Sequence, residues 1–167
     1  SETKHSTTFT GNSLDSLVIY YEPDLGQCLW IITPTNASIP IVPENLQEIR
    51  KLSNIKLIQT GASPSPFLQN ISKTEPDDWC AYYQRGALEQ QKGNWGKAID
   101  QWEQASSKDL QPANGFEYLP FIASYAQAGN WEEALELSRK AEKSSKGMEA
   151  VLCTSWDRFK RQTAPSA

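Results

Sequence analysis

Two kinds of apolar pattern divide the chain. Short unbroken runs occupy the first third: Leu17-Val18-Ile19-Tyr20-Tyr21 and Cys28-Leu29-Trp30-Ile31-Ile32, separated by Glu22-Pro23-Asp24-Leu25-Gly26. Runs of this length bounded by turn residues read as buried strands, and the pair as a hairpin that Pro34 ends. From Pro43 to Leu52 the spacing becomes helical, with Pro in the first turn, Glu44 early, and Leu46, Ile49 and Leu52 set to face inward. Ile55-Lys56-Leu57-Ile58-Gln59 then reads as a third strand, so residues 14–60 form a small β-β-α-β unit. Alone it is small for a stable core, and it is expected to pack against the rest of the chain.

Beyond residue 78 the pattern is helical throughout. Helices are expected over 78–92, 95–107, 114–128, 131–144 and 147–161, with Asp77 or Asp78 capping the first and Asn114 the third. In the last, Met148, Val151, Leu152, Ser155, Trp156 and Phe159 form one stripe, opposed by Glu149, Asp157, Arg158, Lys160 and Arg161. A helix covering the end of a stacked array needs that asymmetry. Residues 1–13, polar and containing the only histidine, His5, are expected to be a mobile lead-in. Residues 61–78 read as a proline-rich linker, 79–162 as the helical domain and 163–167 as a frayed tail.

The helical part contains a repeat. Gly93-Asn94-Trp95 recurs as Gly129-Asn130-Trp131, and Ala98, Trp102 and Ala105 recur as Ala134, Ser138 and Ala141, all at a period of 36 residues. Gly ends a helix in the left-handed conformation, Asn is suited to cap the next, and the Ala residues let helices approach closely. The string Tyr82, Gly86, Gly93, Trp95, Ala98, Trp102, Ala105 and Pro112 resembles a tetratricopeptide repeat, and Tyr118, Tyr125, Gly129, Trp131, Ala134 and Ala141 resemble a second. The second copy departs from the pattern at Ile122, where a small residue is usual, and at Ser138, where an aromatic is. The resemblance implies helix hairpins whose first helices line a concave groove. By position those are Tyr83, Ala87, Gln90 and Gln91 from the first unit and Leu119, Ala123 and Gln127 from the second. This groove is neutral. The family's binders of carboxyl-terminal tails use a Lys and an Asn clamp, and Tyr83 and Ala87 stand at those positions.

Composition narrows the function classes. The net charge is −4; residues 1–78 carry 5 basic and 9 acidic side chains and the remainder 11 of each, so neither half has the basic footprint of a nucleic-acid binder. No apolar stretch is long enough to span a membrane, and the first residues lack a signal peptide's apolar region. Cys28, Cys80 and Cys153 are odd in number and lack metal-ligand spacing. They read as buried free thiols or, in an oxidising compartment, as a Cys80–Cys153 bridge between the first and last helices.

Catalytic chemistry finds little support. One histidine in the lead-in excludes His-based triads and most zinc sites, and no metal or cofactor is expected. Gly93-Asn94-Trp95-Gly96-Lys97 has too few residues between its glycines for a phosphate loop, and Ala98 follows the lysine. Asp77-Asp78 and Glu132-Glu133 are sequence neighbours at helix starts, which do not face one another. The binding candidates are Tyr83, Gln90, Gln91 and Gln127 in the groove. Trp79 and Tyr83, the aromatics least committed to a core, are the candidates for stacking on a sugar or peptide.

A second resemblance spans most of residues 17–160. Val18-Ile19-Tyr20-Tyr21-Glu22-Pro23 with Cys28-Leu29-Trp30, Trp79-Cys80-Ala81-Tyr82-Tyr83, Gly93-Asn94-Trp95, Pro120-Phe121-Ile122 and Leu152-Cys153-Thr154-Ser155-Trp156 resemble the soluble C-terminal region of bacterial membrane glycosyltransferases of the dolichyl-phosphate-mannose protein mannosyltransferase type. That family's catalytic acids lie in its membrane part, so no catalytic residue carries over. The expectation is an α+β chain, mainly α, in which the β-β-α-β unit packs on two tetratricopeptide-like hairpins and a capping helix. Its expected role is a non-catalytic scaffold of a membrane enzyme, membrane-associated through an upstream region, with the membrane part of its own chain or a protein partner as its contact. The alternatives are a soluble cytoplasmic adaptor that binds a peptide, and a carbohydrate-binding module.

Overall fold

The computed structural model describes residues 2–4, 7–9, 16–22, 27–33, 42–58 and 77–163. It is mainly helical, with short antiparallel strand pairs, an α+β architecture. The expected linker, apart from Asp77 and Asp78, and residues 164–167 lie outside the described residues, as does His5.

The lead-in differs from expectation. β1 (Glu2–Lys4) pairs with β2 (Thr7–Phe9), with Glu2 opposite Phe9 and Lys4 opposite Thr7. Thr3, Thr7 and Thr8 are β-branched, a residue type that favours extended backbone. The expected hairpin is present as β3 (Val18–Tyr20) and β4 (Trp30–Ile32), in the register Val18 to Ile32, Ile19 to Ile31 and Tyr20 to Trp30. One face, with Val18, Trp30 and Ile32, enters the core, while Ile19 on the other face is 48% exposed.

The rest of the small unit corrects the sequence reading twice. Helix α1 (Glu44–Ile49) runs into a 3-10 turn, Arg50–Leu52, but Ile49 and Leu52 are exposed and only Leu46 packs on the core. The expected third strand is instead a 3-10 turn, Ile55–Leu57. Its cause is local: the Asn54 side chain accepts from the Lys56 N–H at 3.1 Å, an Asx turn that competes with strand pairing. A single parallel bridge, Ser16 to Ser53, is what pairing occurs there.

Five helices follow: α2 (Trp79–Gln91), α3 (Trp95–Ser107), α4 (Leu119–Gln127), α5 (Trp131–Ser144) and α6 (Met148–Thr163). Asp78 Oδ1 caps α2 by accepting from the Ala81 N–H at 2.9 Å. Asn114 Oδ1 accepts from the Phe116 N–H at the start of a 3-10 turn, Gly115–Tyr118, that leads into α4. The repeated Gly-Asn pair makes the same turn twice. Gly93, at φ 78°, donates to the Gln90 carbonyl while Asn94 donates to Glu89; Gly129, at φ 84°, donates to Ala126 while Asn130 donates to Tyr125. Both are Schellman closures. The asparagines were expected to cap the next helix, yet neither side chain does so, and Asn94 Nδ2 donates to Glu89 Oε2 at 2.7 Å.

Small residues set the spacing between helices. Ala98, Ala105, Ala134 and Ala141 are fully buried, and a Cβ on Gly86 would collide with the Phe121 ring. Trp102 lies in the first hairpin's core, with ring centroids 5.8 Å from Trp79, 5.5 Å from Tyr118 and 5.3 Å from Phe121. The equivalent Ser138 instead accepts from the Trp156 indole of α6 at 3.0 Å. Trp131, the repeat counterpart of Trp95, is 40% exposed and leans on Trp156.

Candidate functional site

A cavity of about 390 Å³ lies among α2, α4, α6 and the β4 segment. From α2 it takes Tyr83, Gln84, Ala87, Gln90 and Gln91, and from α4 Leu119, Pro120, Ala123 and Gln127. Helical spacing explains these sets, because positions three and four apart share a face. The α6 contribution, Ser155, Arg158, Phe159 and Gln162, has the same spacing. Residues 29–33 of the β4 segment complete the wall.

The lining mixes apolar side chains with polar ones. Among the described residues it holds five glutamines, and Arg158 is the one charged side chain. There is no carboxylate, imidazole or thiol among the described residues that line it. Burial, aided by the nearby Glu117 charge, pushes the Tyr83 phenol far up, so it stays protonated. Gln127 Nε2 donates to Gln162 Oε1 at 2.7 Å, tying α4 to α6 across the cavity. Two lining residues carry a buried polar atom with no hydrogen-bond partner, the Trp30 indole N–H and Gln91 Oε1. Such atoms cost about 1–3 kcal/mol each when left unsatisfied, so they are sites for water or for a ligand's polar groups.

The structure thus brings Tyr83, Gln90, Gln91 and Gln127 to one cavity and leaves Trp79 out of it. Trp79 is only 7% exposed; its ring is covered by Tyr83, Trp102 and Phe121, and its indole donates to Glu117 Oε2 at 2.7 Å. Tyr83 is equally buried. Neither ring offers an open face on which a sugar could stack.

The β4 wall is held in place by two links that the sequence did not reveal. Cys28 and Cys80 form a disulfide with a Cα separation of 5.2 Å. This corrects both readings of the cysteines: Cys80 is not bridged to Cys153, and the free thiol, Cys153, is exposed. The second link is Glu117, fully buried between the two halves. Its Oε1 accepts from the Cys28 N–H at 2.8 Å, and its Oε2 from the Trp79 indole and the Ala113 N–H at 3.0 Å.

No family model, curated protein or solved structure matches the chain. Among the described residues no group of three His, Cys, Asp or Glu side chains could hold a metal ion, and no helix is long and apolar enough to cross a membrane. The cavity's chemistry is therefore argued from its own atoms, which are amide donors and acceptors, one guanidinium and a strand.

Gln84, Arg158, Gln162 and the β4 segment were not among the residues read from the sequence as binding candidates. Gln84 lies three positions before Ala87 on the same helix face, a signal that periodicity carries. The β4 contribution depends on contacts distant in sequence and leaves no such trace.

Proposed function

We propose that this chain is a non-catalytic interaction domain that holds an extended peptide segment of a partner, or of its own longer chain, in the cavity between the helices and β4. The observation that carries this reading is the amide wall: Gln84, Gln90 and Gln91, beside the mutually bonded Gln127 and Gln162, supply amide donors and acceptors that match the alternating groups of a peptide backbone. The resemblance to tetratricopeptide repeats supports a concave binding face. The resemblance to the C-terminal region of bacterial membrane glycosyltransferases supports a place as the appended domain of such an enzyme. The Cys28–Cys80 bridge favours an oxidising compartment, which argues for the extracytoplasmic side of a membrane over a cytoplasmic adaptor.

A selection from a random peptide library tests the binding. Peptides should be retained by the chain, and Gln90→Glu or Gln127→Glu, each adding a carboxylate to the wall, should lower their affinity about tenfold, which corresponds to roughly 1.4 kcal/mol. Equal retention by the altered chains would remove the groove from the account. A second reading, an oligosaccharide in the same cavity, is favoured by one observation, the half-buried Trp95 on its wall. Retention of glycans with no retention of peptides would establish it in place of the first. Fractionation of the source cells tests the appended-domain assignment, since a soluble band near 18.7 kDa would refute it.

A further inference from the structure

We infer that the cavity anchors its peptide by a single uncharged amide side chain, an Asn or a Gln, held between the Trp30 indole N–H and Gln91 Oε1; this rests on the peptide reading above and names the residue that the cavity selects. Both atoms are buried without a hydrogen-bond partner, and both residues line the cavity, Trp30 from β4 and Gln91 from the last position of α2. The indole is fixed in place. Trp30 is 3% exposed and pairs across the hairpin with Tyr20, whose ring meets it edge-on at 5.9 Å, while Phe116 packs on it at 6.0 Å. Gln91 ends its helix, and its longer side chain can turn its amide toward an occupant.

The two atoms need opposite partners. An indole N–H only donates and an amide oxygen only accepts, so the occupant has to bring one acceptor and one donor. A carboxylate brings acceptors alone and an ammonium donors alone, and either leaves one of the two buried atoms unsatisfied. A carboxamide carries both in one planar group and has no charge to strip of water. Its donor and acceptor are separate atoms, which suits a site whose two halves belong to different elements, β4 and α2. The apolar part of the lining, with Ala87, Leu119 and Ala123, receives the methylene stem. An apolar pocket with a few placed polar groups is how binding sites fix orientation and specificity. Leucine matches such a side chain in size and brings neither group, so a site built on these hydrogen bonds rejects it by leaving its own polar atoms stranded.

The test uses the whole oxidised chain and a set of blocked peptides with Thr and Val flanks, identical except for a central Gln, Asn, Leu, Glu or Lys. Binding is followed by chemical-shift titration, with the assigned Trp30 indole N–H as the reporter. Anchoring predicts that the better of the two amide peptides binds about tenfold more tightly than the Leu, Glu and Lys peptides. At saturation it should move the Trp30 indole proton downfield, as an N–H that gains an acceptor does. Gln91→Met keeps the side chain's length and removes its amide, and should shrink the preference for amide over leucine severalfold. A Leu or Glu peptide that binds as tightly as the amide peptides, or an indole proton unmoved at saturation, would overturn the anchor while the groove reading stands. Failure of every peptide to bind would overturn both.

Discussion

The helical half and the small β unit are held by different means. Among the described residues of the helices only Trp131 and Leu135 are large apolar side chains left exposed, whereas the small unit exposes Leu17, Ile19, Tyr21, Ile49, Leu52 and Leu57. The helices close on themselves through buried alanines and glycine turns, contacts between neighbours in sequence. The small unit leaves more of its apolar side chains open and is joined to the helices by Val18, Trp30 and Ile32 in the shared core, by the Cys28–Cys80 bond and by the Cys28 N–H on Glu117. The difference teaches that the cavity depends on that junction, since one of its walls belongs to the joined part.

Breaking the fastenings should therefore separate the halves. The bridge closes a sequence separation of 52, for which the chain-entropy estimate is about 4 kcal/mol. Reduction, or Cys28→Ser, is expected to lose up to that amount and to release the Trp30 environment, read by fluorescence, while the far-ultraviolet helix signal persists. Cys153→Ser should do neither, and simultaneous loss of both signals on reduction would show that the helices depend on the small unit.

Glu117→Gln is the next largest break. Each Glu117 oxygen accepts from a backbone N–H, and one also from an indole, so an amide in either orientation sets an NH2 group against a donor. The expected loss is roughly 2–4 kcal/mol in urea unfolding, the cost of stranding buried donors. Gly129→Ala acts on the helices alone. Nothing lies within 4 Å of the added Cβ, so the effect is conformational, about 1–2 kcal/mol for an alanine held at positive φ. Melting temperature should fall, with peptide affinity at the cavity little changed.

The smallest effect concerns Asp77 and Lys108, an exposed pair at the start of α2 and the end of α3. The hydrogen bond from Lys108, then that from Tyr82, holds the Asp77 carboxyl below its ordinary value. A depressed carboxylate contributes stability above its unfolded pKa of about 4 and loses it as pH falls through the folded value. Lys108→Ala should accordingly lower stability slightly at neutral pH and leave it unchanged at low pH, so that the acid limb of the stability profile flattens.

What was legible in the sequence respects the same division. The helices could be read because their determinants are local: Gly93 and Gly129 fix the turns, and the i, i+3, i+4 pattern of α6 fixes its buried stripe. Placement on a helix face also let Tyr83, Gln90, Gln91 and Gln127 be named together from spacing. Trp79 was misplaced because its partner, Glu117, lies 38 residues away. The bridge was equally hidden, for spacing says nothing about which distant cysteines meet. The third strand failed on one local competitor, Asn54, whose side chain offers the backbone a turn. One overlooked signal was present: Glu117 stands alone among Phe116, Tyr118, Leu119, Phe121 and Ile122, and a single carboxylate in an apolar run has to find donors when buried.

Glu117 also sets an order of events. A chain made from its amino end exposes β3 and β4 first, long before the ribosome has added Cys80 and then the carboxylate that receives the Cys28 N–H. The hairpin must wait, its apolar residues uncovered, until the later helices exist to receive it. Of the two halves, the one synthesised first is the one that matures last, and a nascent chain stalled before residue 117 should display an unfinished strand pair to whatever chaperone meets it.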